Sequence, residues 1–360
     1  MEEKNKRKTK KTAKSKLGKG KATIKDVARE AGCSVSAVSI VLNGKGESIP
    51  HCTKQKIFDA AKKLNYKPNY NARAMVTKKT NIIGVILPDI SNVFFAELVR
   101  HMQLQLNIHG YDIILCNTEE SADNDLRYVN YLSGRNVDGL ILTPSAQSLD
   151  SQYMPAYVQA LEQTGVPYLF LDRYISGVAP KVAVDNAHSS YLAIKHFIEN
   201  GHKKIGVITG PLGLNSSRNR FKGVKKALEE EGLTLLDDYV YVGKYDLESG
   251  RKGAEKLLNT DVTAIFAFSD IQAYGVIDYV KSKNLTIPKD LSLIGFDDIF
   301  YSSLLDVPLT TMRQPIKELA HDASNAIVKM IKGDGEVINE QKDKRLTAEL
   351  VKRKSVKLIN

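Results

Sequence analysis

Polar and aromatic side chains able to hold a small molecule sit directly after short apolar runs in this 360-residue chain. They are the stretch 89–95, Asp172 and Arg173 after 168–171, Asp185, the stretch 215–220 after 205–208, Tyr245 and Asp246, Ser269 and Asp270, and Asp297 and Asp298. A sugar site needs carboxylates and amides that each bridge two neighbouring hydroxyls, an Arg fork, and aromatic faces for the ring's C–H surface, and this set supplies all three. Asn215, Ser216 and Ser217 add small polar groups matched to hydroxyls. Aspartates after strands also cap the following helix, which is the reading taken for Asp270 and Asp298. Phe94 and Phe95 open a helix, and at least one of them belongs to the core. Catalytic constellations are missing from the sequence. Leu87-Pro-Asp-Ile-Ser-Asn92 has no glycine to admit a pyrophosphate, Gly210-Pro-Leu-Gly213 has the wrong spacing, and there is no P-loop, G-x-S-x-G elbow or H-E-x-x-H. The seven histidines are scattered; His196 and His202 flank a turn at Gly201, where a surface role is expected. Cys33, Cys52 and Cys116 lack metal-site spacing and read as free thiols. The expectation is a binding protein with no cofactor and no metal, not an enzyme.

A second group of residues carries different chemistry. Ser34, Ser36 and Ser39 are short hydrogen-bonding groups suited to phosphates or base edges, while Val35 and Ile40 suit thymine methyl groups. Helical spacing puts Val35, Ser36, Ser39 and Ile40 outward on a helix whose other face is Val38, Val41 and Leu42. Thr23 caps a helix before it, over 24–31, with Asp26 approximating a capping box and Ile24, Val27, Ala28 and Ala31 as the apolar stripe. Gly32 ends that helix and Ser34 caps the next, which runs to about Leu42. A third follows Pro50, with Ile57, Ala60, Ala61 and Leu64 on one face, and stops before Pro68. The tight turn between the first two gives the geometry of a helix-turn-helix module whose second helix enters a major groove; any small helical bundle shares the periodicity.

Charge is divided unevenly along the chain. Of a formal net +11, residues 1–21 hold ten Lys/Arg against two Glu, residues 22–80 eleven against four Asp/Glu, and residues 81–360 hold 31 basic against 35 acidic. Polyanion affinity therefore belongs to the first 80 residues, and nucleic acid is the partner expected there. Residues 1–20 offer too little apolar surface to fold and read as a disordered basic arm adding salt-sensitive affinity. No run approaches the roughly 18 apolar residues of a membrane span, and no apolar segment follows the basic start, so a cytoplasmic location without a membrane partner is expected.

From residue 81 the period changes. Apolar runs at 82–87, 111–116, 137–142, 168–171, 205–208, 264–268 and 291–296 alternate with helix-length segments such as 94–109, 189–199 and 217–231. That alternation predicts an α/β architecture of doubly wound parallel sheets, with room for two such units. Ligands in these folds sit beyond the carboxyl ends of the strands and, in two-lobed versions, between the lobes.

The stretch Thr23-Ile-Lys-Asp-Val-Ala-Arg-Glu-Ala-Gly32, followed by Ser34-Val-Ser-Ala-Val-Ser39 and Val-Leu-Asn-Gly44, resembles the DNA-binding headpiece of the lactose-repressor (LacI/GalR) family. The likeness continues through Leu64-Asn-Tyr-Lys-Pro68 and Asn71-Ala-Arg-Ala-Met75, then along the core to Asn360. It implies a helix-turn-helix headpiece over 21–67, a hinge helix and linker over 68–80, and a periplasmic-binding-protein-like core over 81–360 for effector binding and dimerisation. The implied N-lobe covers about 81–183 and 315–342, and the C-lobe about 184–314 and 343–360. A homodimer reading a pseudo-palindromic operator in double-stranded DNA is the implied assembly, with Thr23, Ser34, Val35, Ser36, Ser39, Ile40, Asn43, Asn71, Arg73 and Met75 at the DNA. Val35, Ser36 and Ile40 match base-reading positions, although Ile40 stands where a long polar or basic side chain is common. Met75 matches the intercalating hinge Leu and is itself an apolar wedge. Phe94, Phe95, Asp172, Arg220, Tyr245 and Asp297 match effector-pocket positions, with Arg173, Asn215 and Ser216 completing the expected site. Asp172, Arg220 and Asp297 are the polar anchors typical of sugar-responsive members, whereas Leu214 stands where purine-responsive relatives carry an Arg. The implied function is a repressor of a carbohydrate-utilisation operon, relieved by a sugar or sugar phosphate. A global catabolite regulator whose co-repressor is a phosphorylated carrier protein is the second reading. A sugar-binding transport receptor would share the core and lack the headpiece.

Overall fold

A computed structural model describes residues 22–44, 46–67, 79–333 and 344–359. The expected arm over 1–20 and most of the hinge, with Asn71, Arg73 and Met75, lie outside the described residues. The chain divides after Lys78 into two units.

In the first unit, α1 (Ile24–Ala31), α2 (Val35–Leu42) and α3 (His51–Lys63) form where the apolar stripes predict them. Asp26 closes the first turn of α1 by accepting from the backbone N–H of Thr23 at 3.0 Å and from its hydroxyl at 2.7 Å. Gly32, at φ 64°, takes the left-handed turn that ends α1, and Ser34 caps α2 by accepting from Ala37 N–H at 3.1 Å. Val27, Ala28, Val38, Val41, Ile57 and Ala60 form the small core, and Lys63 pairs with Glu30 at 2.6 Å to tie α3 to α1.

The second unit is built on two six-stranded sheets. The first joins β1 (Ile82–Leu87), β2 (Asp112–Asn117), β3 (Gly139–Leu142), β4 (Tyr168–Leu171), β5 (Lys181–Val184) and β11 (Lys344–Leu346) in the order β11-β5-β4-β3-β1-β2, all parallel. The second joins β6 (Ile205–Thr209), β7 (Val240–Val242), β8 (Ala264–Ala267), β9 (Ser292–Asp297), β10 (Thr310–Arg313) and β12 (Glu349–Val351) in the order β12-β10-β9-β8-β6-β7, with β12 antiparallel to β10. The register is regular: Val85 faces Leu115 on one side and Ile141 on the other. Helices cover both faces of each sheet, as near-continuous apolar strands require. On the first sheet α4 (Val93–Ile108) and α11 (Ile316–Lys332) cover one face, and α5 (Ala122–Gly134) and α6 (Met154–Gln163) the other. On the second, α7 (Asn186–Glu199) and α8 (Asn215–Glu230) oppose α9 (Leu247–Leu257) and α10 (Asp270–Ser282).

Most boundaries fall within a few residues of the sequence reading, and two of the differences have a clear cause. The run at 137–142 becomes strand at Gly139, because the Asp138 carboxylate turns aside to accept from the N–H groups of Thr80 at 2.8 Å and Asn81 at 2.9 Å. The second segment of the first lobe extends to Leu346, beyond the expected 342, since β11 pairs with β5 and Leu346 O accepts from Asp185 N–H at 2.8 Å. The chain thus passes between the lobes three times: after Val184, after Arg313 and after Leu346.

Candidate functional site

The carboxyl ends of the strands from both sheets converge on one cavity. Asn92 reaches it from the β1–α4 connection and Phe94 and Phe95 from the first turn of α4, Asp172 and Arg173 follow β4, Ser216 and Arg220 lie on α8, and Tyr245, Ser269, Asp297 and Gln314 follow or end β7, β8, β9 and β10. Two glycines make room for this. A Cβ on Gly210 would stand 2.5 Å from the Tyr245 ring, and one on Gly223 would stand 2.0 Å from the Ala187 carbonyl oxygen, so their absence lets Tyr245 lie on the strand end and α8 press against α7. Close packing of α7 and α8 in turn fixes Arg220, whose Nε donates to Asn186 Oδ1 at 2.8 Å.

Arg220 is the electrostatic centre of the site. Its side chain is 4% exposed, donates to the Phe268 carbonyl, and lies 3.5 Å from the centroid of the Phe296 ring. Among the described residues no carboxylate pairs with it directly, which leaves a buried cation whose charge is felt by two carboxyls nearby. Burial pushes Asp172 above the usual carboxylate range, and Arg173 and Arg220 pull it back only in part. Burial likewise raises Asp297, against the pull of Arg220. Both aspartates occupy positive φ, 63° at Asp172 and 125° at Asp297, a conformation that costs on the order of 1–3 kcal/mol in a residue with a side chain. Free acceptors face the same space: Asp172 Oδ1 and Gln314 Oε1 are buried without hydrogen-bond partners, while Gln314 Nε2 donates to Asp297 Oδ1 at 2.6 Å. Such atoms are rare in folded proteins and mark a place where hydroxyl donors are wanted. The cavity measures about 30 Å³ in this conformation, so any ligand larger than a water or two enters only with movement of the lobes or of residues such as Arg220 and Tyr245.

The structure brings Phe94, Phe95, Asp172, Arg173, Ser216, Arg220, Tyr245 and Asp297 together and leaves Asn215 out, placing it on a neighbouring cavity. Phe94 and Phe95, at 5.1 Å edge to face, are both core residues and both line the site. Arg173 is partly committed elsewhere, donating to Glu120 at 2.9 Å and to the Pro144 carbonyl at 3.3 Å. Asn92 lies in the stretch 89–95 that the sequence offered, whereas Gln314 was not singled out. Gln314 follows a strand too short and too polar in sequence to stand out, and Asn92 is also the cap of α4, accepting from Phe94 N–H at 3.0 Å. Asp270 and Asp298 are structural, though not as caps: Ser269 caps α10, while Asp270 accepts from Ile299 N–H, Ser302 and Thr311, and Asp298 pairs with Arg313 at 2.7 Å and Arg353 at 2.6 Å. Asp185 and Asp246 do cap helices, α7 and α9. The two histidines expected at the surface are buried instead. His202 packs edge-on to Phe197 and bonds Thr263 at 2.8 Å and the Lys357 carbonyl at 3.2 Å, and burial lowers the pKa of both His196 and His202.

In the first unit Val35 and Ile40 are each 42% exposed, on the same outward face of α2 as Ser36. Ser34 and Asn43 are engaged at the two ends of that helix, Asn43 donating to the Ser39 carbonyl at 2.7 Å. A short helix with two exposed β-branched side chains flanking hydroxyls, held at a tight turn after α1, has the form that reads base edges.

Comparison with known proteins finds relatives for both units. The "Bacterial regulatory proteins, lacI family" domain matches residues 23–69, and the "Periplasmic binding protein-like domain" matches residues 194–356. Catabolite control protein A of Priestia megaterium is 36% identical over 312 residues, 85% of this chain and 92% of that protein. The transcriptional repressor PurR of Aliivibrio salmonicida is 34% identical over 338 residues, 93% of this chain and 99% of that protein. Among solved structures, the lac repressor dimer bound to operator and the anti-inducer ONPF matches with a TM-score of 0.82 at 26% identity, covering 94% of this chain and all of that one. The chain belongs to the lacI family of bacterial regulatory proteins and is a DNA-binding transcriptional regulator.

Proposed function

We propose that the protein is a repressor of a carbohydrate-utilisation operon, acting as a cytoplasmic homodimer on a pseudo-palindromic operator and releasing DNA when a small sugar occupies the cavity between the lobes. The observation that carries this reading is the buried trio of Asp172, Arg220 and Asp297 on one cavity, where the acceptors Asp172 Oδ1 and Gln314 Oε1 lack partners. Hydroxyls satisfy such acceptors, and Phe94, Phe95 and Tyr245 offer faces for a ring. Buried Leu214 adds no cation for a purine. The chain is read as a binding protein without catalysis or a cofactor. A ligand shifts the lobes only through differential affinity for their arrangements, and moving a population from about 1:99 to about 99:1 takes roughly 5.5 kcal/mol.

A second reading is supported by the 36% identity to catabolite control protein A: a global regulator whose co-repressor is a phosphorylated carrier protein. The two separate in a thermal-melting panel of sugars, sugar phosphates, purines and a phosphorylated carrier protein. A ligand at 100 times its dissociation constant adds about 2.7 kcal/mol, a shift of roughly 5 °C in a domain of this size. The expected result is a shift with one sugar that disappears in Arg220→Ala. A shift with the phosphoprotein alone replaces the first reading with the second.

A further inference from the structure

Beside the first cavity lies a second, of about 290 Å³, that shares none of its lining residues. The first lobe contributes Tyr174 and Ser176, and the second contributes Asn215, Arg218, Asn219 and Lys222 from α8. Asn215, Arg218 and Lys222 fall at i, i+3 and i+7, one stripe of the helix turned to the cavity. No carboxylate lines it, and among the described residues neither Arg218 nor Lys222 has an acidic partner. Two cations a turn apart repel each other unless an anion sits between them. Leu214, at the cap position of α8, has no side-chain oxygen, so the first-turn N–H groups and the positive end of the dipole of this 16-residue helix stand uncapped beside the cavity. Independently, Asn215 is 6% exposed, yet neither its amide nitrogen nor its amide oxygen has a hydrogen-bond partner. A buried amide left without a partner points to a group that enters the cavity and bonds it.

We propose that this cavity is an anion site that takes the phosphate group of a small metabolite, held by the guanidinium of Arg218, the ammonium of Lys222, the Asn215 amide and the uncapped N–H groups of α8. Tyr174 and Ser176 close on it from the other lobe, so occupancy bridges the lobes. The anion site stands without the sugar reading; that one phosphorylated sugar reaches both cavities rests on it.

The test is equilibrium dialysis of inorganic phosphate against the full chain at fixed ionic strength, on wild type, the double variant Arg218→Gln/Lys222→Gln, Asn215→Asp and Arg220→Ala. Saturable binding of one phosphate per chain is expected, weakened at least tenfold in the first two variants and kept in Arg220→Ala. Arg218 and Lys222 are exposed, so their loss leaves the fold intact; a melting curve of each variant checks this. Unchanged binding in the double variant, or binding that fails to saturate and belongs to the basic N-terminal residues, overturns the proposal. Competition by ribose 5-phosphate and not by ribose supports a phosphomonoester as the occupant, whereas failure of the ester to compete makes free phosphate the ligand and overturns the metabolite. Failure of the sugar reading shows separately, as no sugar-induced melting shift, and leaves the dialysis result untouched.

Discussion

The helix-turn-helix unit and the cleft between the lobes both recognise a partner, but the first presents its recognition residues outward and the second encloses them. In the first, Val35, Ser36 and Ile40 face solvent while six small or branched residues hold the fold together. In the second, Arg220, Asp172 and Asp297 are themselves buried, two of them in strained backbone. The contrast teaches that fold and specificity are separable in the headpiece and fused in the cleft. A substitution on the outer face of α2 alters what is read. A substitution in the cleft alters both what is bound and the packing of the strand ends that bind it.

Four measurements sharpen or break this contrast. The largest effect is expected from Ile57→Ala, which empties the centre of a six-residue core and costs about 2–5 kcal/mol. Calorimetry should then show the headpiece transition lost and the core transition unchanged. Next, Arg220→Ala should weaken effector binding by about 2–5 kcal/mol by leaving buried polar partners unmatched, while operator affinity without effector is kept; a concurrent loss of operator binding would contradict separability. Ile40→Ala should change operator preference by about 1–3 kcal/mol at one base position, seen in a competition assay across single-base operator variants, with no change in headpiece melting. The smallest effect concerns pH. Burial holds His196 and His202 below the ordinary value of 6.5, so the stability they contribute is present above that value and lost as pH falls through it toward their folded pKa. Asp172 and Asp297, raised by burial, contribute with the opposite sign, lost as pH rises. The informative quantity is therefore the difference between wild type and His202→Gln, which should show a shallower fall in melting temperature between about pH 7.5 and about pH 5.5.

The headpiece was legible residue by residue, because its signals are local: a cap at Ser34, a glycine at Gly32, one stripe per helix. The cleft was legible as a set of strand ends and not as a place. Strand periodicity marks where β4 and β9 stop, and so finds Asp172 and Asp297. It cannot show that Ser216 and Asn215, adjacent in the chain, face different cavities, since that depends on the rotation of α8 against α7. It misses Gln314, whose short strand Thr-Thr-Met-Arg reads as loop until β9 lies beside it. Misplacement of His196 and His202 has the same origin: the turn at Gly201 suggests exposure, and the residues that bury His202, Thr263 and Lys357, come from far along the chain.

The three passages of chain between the lobes set an order on synthesis. The helix-turn-helix unit is complete once Lys67 has been made, whereas the first sheet waits for Leu346 to supply its edge strand and the second for Val351. At roughly 5–20 residues per second, a finished DNA reader trails an unfinished sensor for roughly 15–60 s on the ribosome. A transcript cut short before residue 310 therefore yields a folded headpiece attached to two incomplete lobes, a product able to meet DNA and unable to answer a ligand.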